Sequence, residues 1–185
     1  MIKKMRGFTL IELLIVVAII GILAALLIPN ALAAIQKAKQ KTAMKEIMTM
    51  STGAMDYITD HGDWTNVTQV ADITPTAGMG LVIAPFYIKA CPSRDPWNKA
   101  YQAAVGALNL TGYLTGTAVT DLGGDDFIIA SHGRNGVPGT LTYDPTDPEA
   151  SRFNVGGMSD FDNDLVAWSG SWVIAPSTVL VGSST

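Results

Sequence analysis

Phe8 to Ile28 is a run of 21 residues in which Glu12 is the one charged side chain. As a helix it spans about 31 Å, close to the hydrocarbon thickness of a bilayer, so the chain can cross a membrane once near its N-terminus. Lys3, Lys4 and Arg6 precede the run, and Pro29 and Ala31-Leu32-Ala33 follow it. A basic start, an apolar stretch and small residues also describe a secretory signal peptide, but its apolar core is usually only ~7–15 residues long. A plain membrane anchor is the other simple reading. Neither gives Glu12 a task. An ionised group in hydrocarbon costs roughly 2.5–3.5 kcal/mol even on the lenient insertion scale, so it is expected to face a partner. Cleavage between Gly7 and Phe8 would create one. The new α-amino group would open the same helix four residues before Glu12, and in a bundle of staggered copies one chain's carboxylate could meet the next chain's amine.

These residues carry a resemblance. "KKMRGFTLIELLIVVAIIGILAALLIPN" resembles the N-terminus of type IV pilins and of the pseudopilins of type II secretion, with its basic leader, Gly7, Phe8, Thr9-Leu10, Glu12 and Pro29. The resemblance implies that a prepilin peptidase cuts after Gly7 and methylates the amine of Phe8. It also implies that Glu12 guides subunit addition and that the chain polymerises with itself into a helical filament. An inner-membrane assembly platform and minor pilin-like subunits are the further partners it implies. The chain would first sit in the inner membrane as a single-pass protein with its globular domain outside the cytoplasm. Lysines or arginines flank the segment on both sides, Lys3, Lys4 and Arg6 against Lys37, Lys39, Lys41 and Lys45. The positive-inside rule therefore scarcely orients it, and the orientation follows from the resemblance.

Pro29 lacks a backbone donor and crowds the preceding turn, so it is expected to kink or locally open the helix. Helical spacing resumes beyond it: Met44, Ile47, Met48, Ser51, Met55 and Ile58 form one largely apolar stripe. From residue 59 the texture changes to short β-like runs broken by Gly, Pro, Asn and Asp: "LVIAPFYI", "YQAAV", "DFIIAS", "GTLTYD", "DLVAW" and "SWVIAPSTVLV". The expected fold is α+β, a long N-terminal helix packed on a small antiparallel sheet, as in pilins. Its parts are a leader at 1–7, a membrane and assembly helix at 8–29, an amphipathic continuation at 30–58 and a β-rich outer domain at 59–185.

Charge is unevenly placed. Residues 59–185 hold thirteen acidic and five dispersed basic groups, which argues against nucleic acid, since phosphate binding needs a clustered basic surface. Cys91 is the one cysteine, so no intramolecular disulfide can form, although many surface pilins close a C-terminal loop with one. His61 and His132 are the two histidines. Ser131 beside His132 would point to the opposite side of an extended chain, and no nucleophile elbow, phosphate loop or HExxH is present. The chain reads as a non-enzyme.

Two stretches of the outer domain resemble the major pseudopilin of type II secretion. In "SRDPWNKAYQ", Asp95-Pro96-Trp97 and Tyr101 match that family's Asp-Pro-Trp segment and following tyrosine; Pro96 favours a turn, and the aromatic residues can close a sheet edge. In "IIASHGRNG" with "SDFDNDLVAW", Asp162, Asp164 and Trp168 fall on the family's Asp-x-Asp and tryptophan, and Asn135 falls where an aspartate is usual. The resemblance implies calcium, because clustered carboxylates repel unless neutralised and oxygen ligands suit that ion. Asn135 brings no charge, and the segment 139–157 is longer than the compact family loop, so a calcium loop and a solvated acidic turn both stand. The resemblance as a whole implies a structural subunit of a type II secretion pseudopilus, with a surface type IV pilin or a monomeric anchored binding module as alternatives.

Overall fold

A computed structural model describes residues 8–68, 71–106, 123–139, 143, 147 and 150–177. The leader with Gly7, most of "GTLTYD" and the end of the last apolar run lie outside the described residues.

Helix α1 runs without interruption from Leu10 to His61, 52 residues and about 78 Å. Thr9 starts it through a reciprocal cap: the Thr9 hydroxyl accepts the Glu12 N–H at 3.3 Å, while the Glu12 carboxylate accepts the Thr9 N–H at 3.0 Å and the Thr9 hydroxyl at 2.7 Å. Pro29 lies inside the helix, and the expected local opening is not seen. Neighbouring turns carry the chain past the missing donor, and the Asn30 side-chain amide donates to the Leu26 carbonyl one turn back. Gly62, at φ 89°, ends the helix and donates its N–H to Ile58; only a residue without Cβ adopts that turn cheaply.

Among the described residues five strands follow, in the order β1-β2-β4-β5-β3: β1 Gln102–Val105, β2 Phe127–Ser131, β3 Arg152–Phe153, β4 Leu165–Trp168 and β5 Ser171–Pro176. The first four in that order pair antiparallel, and the two-residue β3 pairs parallel with β5, so the sheet is mixed at one edge. A two-residue turn at Ser169-Gly170 joins β4 to β5 with both φ positive, 42° and 83°, the twist that suits a tight hairpin. Strand β2 is buried along its length because both sheet faces are covered. Phe127 and Ile129 face α1, while Ile128 joins Ala104, Ala130 and Val166 on the other side.

No residue of α1 before Gln40 is buried, and the face that then meets the sheet is Ala43, Ile47, Met50, Ala54 and Tyr57. The predicted stripe is rotated from this by about one residue: Ile47 and Ser51 are buried, but Met55 is 48% exposed. Small residues explain the offset. A Cβ on Gly53 would stand 2.7 Å from the Ile88 side chain, so close approach, not side-chain bulk, selects this face.

The run "LVIAPFYI" forms no strand. Its first residues complete α2, Gly78–Ile83, which buries Met79 and Ile83 one turn apart against the core. Gly80 lets α2 press on the Thr74 carbonyl, 2.2 Å from where a Cβ would be. Cys91 is buried, and that burial pushes its thiol up to about 11, leaving it a small apolar side chain at neutral pH.

Candidate functional site

The membrane-length part of α1 presents apolar side chains in every direction. Its most apolar 18-residue window has a mean hydropathy of 3.1 and nothing buried, while Leu10, Ile19 and Leu27 are each more than half exposed. A helix apolar all round requires cover from lipid or from other helices. At its tip Phe8 is 78% exposed, and Glu12 is held by its own chain through Thr9.

A second constellation fastens this helix to the sheet. Asp95 is buried, and its Oδ1 accepts the Trp97 and Lys99 N–H groups at 3.0 and 2.8 Å, shaping the turn that Pro96 enters. Its Oδ2 accepts the Ser131 hydroxyl at 2.7 Å, tying the turn to the end of β2. From that turn the Trp97 indole donates to Gln36 of α1 at 2.7 Å, and the fully buried Tyr101 donates its hydroxyl to Glu46 at 2.6 Å. Burial, then the hydrogen bond to Glu46, raises the Tyr101 phenol far above its usual range. These aromatic residues therefore clasp α1 from below instead of closing a sheet edge. Gln36 and Glu46 were missed because partners for a buried indole or phenol are required in kind but not located by spacing.

The acidic stretch does not converge on one point. Met158–Asp162 is a 3₁₀ helix, in which residues two apart face different ways. Asp160 turns back to accept the Gly157 and Gly156 N–H groups at 2.7 and 2.8 Å. Asp162 is taken by Arg134, whose Nε and Nη2 donate to its two oxygens at 2.8 and 2.9 Å. Asp164 accepts the Gly139 N–H at 2.8 Å, and its other, buried oxygen stands 3.3 Å from His132 Nδ1. Asn135 spends its side-chain oxygen on the Val137 N–H at 2.9 Å. Trp168 lies at the far end of β4 and donates to Asp126 at 3.1 Å.

Thus Asn135, Asp162 and Asp164 line one open cleft of about 450 Å³ but do not, as arranged, offer a calcium ion a set of free oxygens. Among the described residues no group of three or more His, Cys, Asp or Glu side chains could hold a metal. Ser131 and His132 are equally separate, the hydroxyl on Asp95 and the imidazole Nε2 on Gln102 at 2.9 Å.

The glycine N–H groups hold the Asp160 carboxyl below its usual range, and the Arg134 hydrogen bonds do the same for Asp162. Both folded values are depressed, so the stability these groups contribute is complete above the unfolded value near ~3.9 and is lost as pH falls through the folded values. The thermal midpoint should be flat from neutral pH to about 5 and fall below about 4. An Asp162→Asn variant should lose part of that acid slope when midpoint is measured against pH.

The prokaryotic N-terminal methylation motif matches residues 2–28. Type II secretion system core protein G of Dickeya chrysanthemi is 25% identical over 166 residues, covering 90% of this chain and 88% of that protein. The protein of the same name from Vibrio cholerae is 35% identical over 107 residues, 54% of this chain and 73% of its own length. The type IV major pilin protein PilA of Myxococcus xanthus is 38% identical over 73 residues, but these make up only 33% of that protein. No solved structure matches the chain significantly. With an N-terminal methylation motif, an all-round apolar helix and an α+β globular domain, the chain belongs to the type II secretion system core protein G family, the major pseudopilins.

Proposed function

We propose that the chain is cut between Gly7 and Phe8, methylated on the new amine and added copy by copy to a helical filament that serves protein export. The observation that carries this reading is the bare apolar half of α1, which ends at a free-standing tip bearing Glu12. In a membrane, lipid covers that surface; in a filament, the same surface packs against other copies of α1. The outer domain then lies on the side of the membrane away from the leader, and an assembly platform in that membrane supplies the subunits' path. Minor pilin-like subunits are the further partners this reading gives the filament. In this reading the chain acts as a structural subunit.

N-terminal sequencing and intact mass of the protein extracted from producing cells test the reading. The expected chain starts at N-methylated Phe8. A chain starting at Met1, or at Ala34 after an ordinary signal-peptide cut, would overturn it.

A further inference from the structure

The stretch from His132 to Asp164 brings two carboxylates to one wall of a cleft, and like charges so placed need a cation between or beside them. We infer that Arg134 occupies the role of a bound divalent cation beside Asp162, so that this turn is held without metal. Arg134 approaches Asp162 through the two-pronged geometry that guanidinium and carboxylate share. Its backbone N–H also donates to the Phe161 carbonyl at 2.8 Å. One residue therefore joins the turn after β2 to the 3₁₀ helix by both main chain and side chain. Gly133, at φ 58°, permits the contact, because a Cβ there would stand 2.7 Å from the Phe161 and Asn163 carbonyls.

Asp164 is held from the other side through one of its two oxygens. Its Oδ2 takes the Gly139 N–H, and its Oδ1 faces the imidazole of His132, whose far nitrogen is positioned by Gln102. The Gln102 amide in turn donates to Asp72 at 3.1 Å, which fixes which end of that side chain meets the histidine. A calcium ion needs six to eight oxygens. To use Asp162 and Asn135 among them it would have to displace Arg134 from Asp162 and compete with the Val137 N–H for Asn135.

The test is thermal unfolding of the full-length protein in detergent micelles, followed by tryptophan fluorescence in calcium chloride and in chelator. The wild-type midpoint should be the same in both. Arg134→Gln should lower the midpoint in chelator by roughly 3–6 °C, and Arg134→Lys, which keeps charge but loses the fork, should fall between. A wild-type midpoint that rises with calcium and falls with chelator would overturn the inference, with no variant required. So would an Arg134→Gln protein as stable in chelator as the wild type.

Discussion

Asp95→Ala should lower the unfolding free energy by about 3 kcal/mol, a large loss for a single polar side chain. Three donors lose their acceptor at once: the Trp97 and Lys99 amides and the Ser131 hydroxyl. Asp95 and Ser131 are both buried, so water cannot readily replace the lost oxygens, and each stranded donor costs on the order of 1–3 kcal/mol. The damage also reaches the helix, because the same turn holds Trp97 on Gln36 and leads to Tyr101 on Glu46. Asp95→Asn keeps one acceptor oxygen for the two amides and lets the Ser131 hydroxyl rotate to accept, so it should cost about 1 kcal/mol. Denaturant unfolding with an unchanged slope checks both figures. Equal stability of Asp95→Ala and wild type would mean that the turn is set by Pro96 and chain geometry alone.

Glu12→Ala should insert into the membrane normally yet reduce assembled filament on the order of a hundred-fold. Losing one partner of a buried ion pair costs about 3 kcal/mol, and that energy corresponds to about two orders of magnitude in an equilibrium. The structure adds a sharper variant, because Glu12 already has an intramolecular role in capping α1 through Thr9. Glu12→Gln preserves an oxygen for the Thr9 N–H and hydroxyl but removes the charge. If Glu12 acts between copies through its charge, Gln should fail as Ala does. Assembly of the Gln variant at wild-type levels would leave the cap as the whole of its role. Filament recovered from sheared cells, compared with total membrane-bound subunit, provides the readout.

The sequence carried the large features because each had a strong periodic or compositional signal. The α1 pattern persists through Pro29, and β1, β2, β4 and the start of β5 coincide with short apolar runs bounded by turn residues. The failures share a cause: local spacing does not show which surfaces approach closely. Residues 81–88 look like a strand, yet Met79 and Ile83 are one helical turn apart, and a short apolar run fits either element. Asp160, Asp162 and Asp164 alternate as ligands might, but the 3₁₀ turn through Phe161 sends the first two to different partners. Arg134 stood beside Asn135 in the sequence, and only the fold places its guanidinium on Asp162, 28 residues away. In the same way, Trp168 is assigned to Asp126 by the hairpin at Ser169-Gly170, a contact that no nearby motif announces.

The uninterrupted course of α1 has a mechanical consequence. A helix is stiff along its axis, so a displacement at Phe8 of one turn, about 5.4 Å, reaches the Gln36, Glu46 and Tyr57 level undiminished. There the Trp97 and Tyr101 hydrogen bonds pass it to the sheet. Small displacements of the apolar half of α1 are thus passed to the sheet, whereas under larger load the strut yields first at Pro29, which lacks a rung in the ladder.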